Sequence, residues 1–371
     1  MMSIPAGLDP SPFQSRVNPA LNEDDFIAVN GQAVPLFLSD PEREYAAIRN
    51  SAGMIDFSML YKWEIAGTNA VEVANKVFSR DLKKVNPGSI AYGVIVSQAG
   101  LMVDDCTVLL YKDGRVRITG ANPENSNIIR KYLGSDNTLT EVRAEIATLS
   151  LQGPMSRAIL QKLTKTDVSN EAFPYYTFQL NVLVGGIPAH INRMGFTAEL
   201  GYEIMVPVER AVDLWDSVLA AGKEFDVVEC GAISVMMVRV EAGMIMAELE
   251  YDEHTSPYEC RMGWAVDLDK GSFHGRESLE ELKSQAKSSI ASVVIDAEAD
   301  GLDGMSISAD GATVGAVTMA IPSPILEGKT LALARLNKGF NSIGQQLLVG
   351  SAPAIVVATP VYDPDRKRAR S

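Results

Sequence analysis

Residues 100–111 read Gly-Leu-Met-Val-Asp-Asp-Cys-Thr-Val-Leu-Leu-Tyr. A turn glycine is followed by two adjacent carboxylates and then by an apolar run of strand-forming residues. Upstream, Ala91–Ser97 has the same strand character, so Gln98-Ala99-Gly100 predicts a hairpin turn between it and Met102–Tyr111, with Val116–Thr119 continuing the sheet. Working outward, Asp40 supplies an N-cap and Pro41 a first helical position, predicting a helix over 41–52 with Gly53 as its exit. Tyr61–Gly67 reads as a strand and Asn69–Phe78 as a helix; further helices are expected after Pro154, after Pro207 and from Gly231 to Met244. Gly185-Gly186 reads as a hairpin turn. The pattern is α+β.

From Ser289 onward the chain changes to short β-rich runs, SVVIDA, TVGAVTMA, TLALARL and AIVVATPVY, separated by Gly, Asp and Pro. The polar, helix-favouring segment Leu279–Ser288 marks the expected boundary, dividing the chain into residues 1–285 and 286–371. A length of 371 residues suits two or three domains at roughly 150 residues each. Hydrophobic residues at 46% and charged residues at 22% exclude extended disorder. Lys and Arg total 33 against 47 Asp and Glu, a net charge of −14 that repels a phosphate backbone, so nucleic acid is excluded as a main partner. The N-terminal residues lack a secretory pattern, and the apolar tract Leu347–Val361 is interrupted by Gly350, Pro353 and Pro360, so neither export nor a membrane is expected. Three isolated cysteines, Cys106, Cys230 and Cys260, fit a reducing cytoplasmic setting and no zinc site. Neither GxGxxG after a strand nor a P-loop is present.

Three local features could carry chemistry. Asp104 and Asp105 head the apolar strand and, because side chains alternate, must face opposite ways. Asp105 shares its face with Thr107 and Tyr111, the slightly more polar one, and is the preferred candidate; taken alone, the pair is an acidic turn before a strand. Glu203 enters the apolar Ile204-Met205-Val206 and, taken alone, is a sheet-edge charge. Arg239 sits in the 231–244 helix, where Ile233, Met236, Met237, Val240 and Met244 share one face that reads as core packing. Arg239 lies off that face, placed either to grip a carboxylate or to snorkel.

In order along the chain, GMIDFSML (53–60), Tyr92 with GLMVDD (100–105), LQGP (151–154), GFTAELGYEI (195–204), VRVEAG (238–243), DEHTSPYE (252–259) and TPVYDPDRKR (359–368) resemble the aminomethyltransferase family. That family contains the glycine cleavage T-protein and related tetrahydrofolate-dependent demethylases. The resemblance implies a three-lobed cloverleaf with a C-terminal β-barrel lobe, two interleaved lobes making up 1–285, and tetrahydrofolate in a central opening. It places Asp104 or Asp105 against the reduced pterin, Tyr92 beside that turn, Glu203 on the pterin ring and Phe196 packed next to it, with Arg239 a further cofactor-binding candidate. The sequence departs from the family at Val235 and Met236, where arginine and aspartate are usual, at Phe196 in place of tyrosine and at Ala198 in place of glycine. The implied activity is a tetrahydrofolate-dependent demethylase taking a one-carbon unit from a small methylated metabolite, a sulfonium, betaine or methoxy compound. One alternative is the glycine-cleavage aminomethyltransferase, whose partner is a lipoyl carrier protein. Another is a non-enzymatic iron–sulfur maturation factor, whose KGCYxGQE-like motif appears here as Lys270–Glu277 with Ser272 replacing the thiol. A sarcosine or dimethylglycine dehydrogenase would need a flavin domain for which this length and motif set leave no room.

Overall fold

The computed structural model describes residues 4–371. Its strands form three main sheets. The first has the order Phe178–Val184, Ile187–Asn192, Gly201–Pro207, Ile146–Gln152, Gly53–Asp56, Val228–Cys230, antiparallel except for the last pair. The second has the order Ile90–Val96, Met102–Leu110, Val116–Gly120, Tyr61–Gly67, Asn137–Glu141. After Gly53–Asp56 the chain therefore leaves the first sheet, builds all of the second, and returns at Ile146. The third sheet closes as a six-stranded barrel between Ser288 and Val357, giving the three-lobed architecture with its C-terminal barrel. Two barrel strands, Ser306–Ala309 and Gln346–Val349, are short and lie outside the four β-rich runs read from the sequence.

Local signals act largely as expected. The Asp40 side chain accepts from the Arg43 amide and Pro41 opens the helix Pro41–Asn50. Gly53 does not serve as the exit, however; it begins a strand, and a Cβ there would press on Ile48 and the Cys230 sulfur, so it is a close-packing glycine. Both aspartates lie inside Met102–Leu110, within the strand expected over Met102–Tyr111, paired with Val94 and Ile95, so the alternative of an acidic turn before the strand does not hold.

The helix Ala232–Glu241 occupies the middle of the molecule and is buried on nearly every side. It packs against Pro41–Asn50 and against two barrel strands, Ala312–Ser323 and Lys329–Asn337. One apolar core consequently contains Tyr45 and Ile48, Val94 and Val96, Val238 and Val240, and Leu331 and Leu333 of the barrel. Burial on all sides is why Arg239, expected at an apolar helix's margin, is fully enclosed.

Candidate active site

A cavity of about 290 Å³ opens between the first two sheets, walled by the helix Ala232–Glu241, the segment Met244–Ala247 and the N-terminal hairpin of Phe26–Val29 and Gln32–Pro35. Most of its lining is apolar or aromatic, and its ionisable carboxyl groups are Asp56, Asp105 and Glu203.

Strand alternation sends Asp105 into this cavity and Asp104 away from it. Asp105 accepts a hydrogen bond from the Tyr92 hydroxyl at 2.7 Å and another from the Tyr251 hydroxyl at 2.6 Å, while its own backbone N–H donates to the Tyr251 oxygen at 3.0 Å. Both carboxylate oxygens are thus aimed by phenols. Burial pushes the Asp105 carboxyl above the usual range, and the two phenols act in the opposite sense. Asp104 is fully buried and accepts from the backbone amides of Ala121 at 2.9 Å and Asn122 at 3.2 Å and from the Asn125 side chain. Its carboxyl is raised well above normal, first by burial and then by its acidic neighbour. It ties the strand to the loop that opens the helix Glu124–Arg130.

Glu203 lies on Gly201–Pro207, an interior strand of the six-stranded sheet, and so is not a sheet-edge charge. It receives one long bond, from the Asn192 amide at 3.4 Å, and burial pushes its carboxyl up to about 7 despite the opposing pull of Lys62. Lys62 itself is enclosed, donates to the carbonyls of Leu60 at 3.0 Å and Ser58 at 3.4 Å, and is driven down to about 8 by burial. Phe196 and Tyr92 line the cavity beside these acids.

The loop bearing Phe196 is braced by Gln152 of the LQGP stretch. The Gln152 amide bonds the Met194 carbonyl at 3.2 Å and accepts from the Thr197 hydroxyl at 2.8 Å. It fills the space left by Gly195 and Gly201, where a Cβ at either would overlap it. Ala198 holds a left-handed φ of 61°, a conformation that favours glycine, at the position where the sequence departs from Gly.

Arg239 is outside the cavity. Its guanidinium pairs with Glu250 at 2.5 Å and bonds the Met244 carbonyl at 3.2 Å, so it shapes the Met244–Ala247 wall from behind rather than touching a ligand there. Met237 and Val240 pack in the core as expected, but Met236 and Met244 line the cavity, a correction to the reading of all these methionines as core. Val235, the other departure, lines it too. The Lys270–Glu277 stretch lies apart from the cavity; Lys270 donates to the carbonyls of Asn75, Phe78 and Arg80, closing the C-terminal end of the helix Ala70–Val77.

Three lining groups escaped the sequence reading. Tyr251 stands one residue before the quoted DEHTSPYE and carried no signal beyond its type. Asp56 ends the strand Gly53–Asp56 and accepts from Ser11, from Gln32 at 3.2 Å and from the Ser58 amide at 2.8 Å. Tyr176 sits at a left-handed φ of 61° in a loop. Among the described residues, no group of three or more His, Cys, Asp or Glu side chains could hold a metal ion, and no helix is long and apolar enough to cross a membrane.

Residues 26–270 match the family described as the GCVT N-terminal domain, and residues 289–363 the glycine cleavage T-protein C-terminal barrel domain. An aminomethyltransferase from Geobacillus sp. (strain WCH70) is 31% identical over 346 residues, covering 91% of this chain and 94% of that one. A sarcosine oxidase subunit alpha from Corynebacterium sp. (strain P-1) is 32% identical over 350 residues, covering 88% of this chain but only 36% of the relative, so this chain spans about a third of that protein. In fold, the chain superposes on the glycine cleavage system aminomethyltransferase T from Bartonella henselae with a TM-score of 0.84 at 20% identity, covering 96% and 99% of the two chains.

Proposed function

This chain belongs to the glycine cleavage T-protein family of folate-dependent one-carbon transferases, and we propose that its central cavity receives tetrahydrofolate together with a small methylated donor and moves the donor's methyl group to N5. The observation that carries this reading is Asp105, a half-buried carboxylate held by two phenols at the cavity wall, with Tyr92, Phe196 and Glu203 also lining the cavity. Such a slot suits a flat, donor-rich ring, since aromatic faces pack on it and carboxylates accept its N–H groups. Asp105, Tyr92, Phe196 and Glu203 would hold the reduced pterin; Arg239, enclosed with Glu250, would not. Tetrahydrofolate supplies a secondary amine as the acceptor of the carbon.

The chain's own contribution is electrostatic and positional. With tetrahydrofolate bound, Asp105 would set a fixed carboxylate where it stabilises positive charge developing on the accepting amine. Tyr92 and Tyr251 keep Asp105 aimed before the reaction begins, so no reorganisation is needed at that moment. An onium donor would release a neutral sulfide or amine that keeps the bonding pair, and Asp105 would be placed to take the proton lost by the accepting amine. Holding the reactants in line adds up to roughly 7–11 kcal/mol in favourable cases.

Purified protein with tetrahydrofolate and onium or methoxy donors is expected to form 5-methyltetrahydrofolate; absence of turnover across these donors rejects the proposal. A second reading, aminomethyl transfer from a lipoyl carrier protein, draws support from the end-to-end match with the Geobacillus aminomethyltransferase. It is separated by its product, 5,10-methylenetetrahydrofolate with release of ammonia, formed only when the aminomethylated carrier is supplied. The apolar Val235 and Met236 in the cavity wall favour the first reading, since a polar donor arm would lack partners there.

A further inference from the structure

The charges around the cavity are one-sided. Asp56, Asp105 and Glu203 line it, and among the described residues no Lys, Arg or His does. The nearby cations are committed elsewhere. Lys62 acts on Glu203 and Asp56 but donates to backbone carbonyls and is not part of the lining, Arg49 pairs with Glu241 at 2.9 Å, Arg239 with Glu250 at 2.5 Å and Arg117 with Glu64 at 2.6 Å. Arg80 donates to the Tyr92 carbonyl and lies over the Trp264 ring, again outside the lining. Alongside the acids the lining includes the aromatic side chains of Tyr92, Tyr176 and Phe196 and the apolar side chains of Val235, Met236 and Met244.

A carboxylate brought into this space would be desolvated opposite three acids with no cation in the lining to receive it, whereas a cationic centre would gain from the acids and from the aromatic side chains. We infer that the one-carbon donor is a compact, carboxylate-free cation, an alkylated amine or ammonium ion, and that carboxylate-bearing donors such as N-methylated amino acids, betaines and sulfonio-carboxylates are excluded. This rests on the one-carbon-transfer reading above and narrows its donor class. Specificity is set by what is missing: Val235 and Met236 occupy wall positions where a basic side chain would let a carboxylate bind.

The test compares two ligands sharing a quaternary ammonium head, tetramethylammonium and glycine betaine, which differ by the carboxylate. Calorimetric titrations are run on the full chain with and without saturating tetrahydrofolate. Expected is at least tenfold tighter binding of tetramethylammonium, and for Met236→Arg a gain of tenfold or more in betaine binding, with folding checked by circular dichroism. Betaine binding the parent chain as tightly as tetramethylammonium, or neither ligand binding, overturns the inference, whether or not Met236→Arg folds. The tetrahydrofolate titration is read separately. Loss of folate binding with the ligand preference intact rejects the cofactor reading alone, and folate binding without that preference rejects the donor class alone.

Discussion

Between Asp104 and Asp105 the strand advances by one position, and that step separates a structural carboxyl from one that faces the cavity. Asp104 satisfies two backbone amides and the Asn125 side chain, whereas Asp105 is met by two phenols at the cavity wall. Asp105→Asn is therefore expected to keep its fold and lose at least a hundredfold in turnover, about 2.7 kcal/mol of transition-state stabilisation. Asp104→Ala leaves buried amides unmatched and should cost about 2–4 kcal/mol in denaturant unfolding. Similar stability losses for both variants would remove the distinction. Glu203 gives a pH-dependent counterpart. Its carboxyl is held up at about 7 against 4.5 when unfolded, so between those values the native state keeps a proton that the unfolded chain has released. The resulting stability is complete below about pH 4.5 and is lost as pH rises through 7, with an upper bound of about 3 kcal/mol. Glu203→Gln does not titrate, so its melting temperature should gain on the parent's as pH rises from 4.5 to 8 while its folate affinity falls. A constant gap in melting temperature across that range counts against the assignment.

At the scale of elements, the strand Met102–Leu110 shows what sequence periodicity carries and where it stops. Alternation was enough to assign opposite faces to Asp104 and Asp105 and to prefer Asp105, because strand parity is a purely local property. Which face meets a cavity is set by partners distant in sequence, and the Tyr251 hydroxyl that completes Asp105's environment arrives from 146 residues away. The same limit explains Arg239. A helix read alone shows a polar margin, but Ala232–Glu241 packs against another helix and two barrel strands and is buried on nearly every side, so its arginine is enclosed with a distant Glu250. The cap at Asp40 and the turns at Gly100 and Gly185-Gly186 were legible because their causes lie within a few residues. Gly120 ends the neighbouring strand Val116–Gly120, and a Cβ there would overlap the Asp104 carboxylate. Gly120→Ala should therefore destabilise by about 1–3 kcal/mol, the range for overpacking. Combined with Asp104→Ala it should cost less than the sum of the two single changes; strict additivity in unfolding experiments would show that the two residues do not share a site.

For the whole molecule, the issue is what holds the barrel against the two sheets around the cavity. Among the polar contacts that cross that junction, the Thr318 hydroxyl donates to Glu250 at 2.7 Å, the Ser323 hydroxyl to Glu241 at 2.7 Å, and the Arg335 guanidinium to the Glu250 carbonyl at 2.5 Å and to the Thr255 hydroxyl at 3.3 Å. Glu250 is thus shared between the barrel and Arg239, and it also accepts from the Met246 amide at 3.0 Å in the cavity wall. A buried pair of this kind penalises loss of one member more than loss of both, because the survivor is left charged and unmatched. Arg239→Met should cost about 3–5 kcal/mol in global unfolding, while Arg239→Met with Glu250→Leu should recover a large part of that loss. Near the unfolding midpoint, the single variant should also lose folate affinity, because the Met244–Ala247 wall is released from behind, whereas well below it affinity should approach the parent's. Loss of folate binding in a fully folded Arg239→Met chain, with no stability deficit, would instead make Arg239 a ligand contact and require the enclosed ion pair to open in solution.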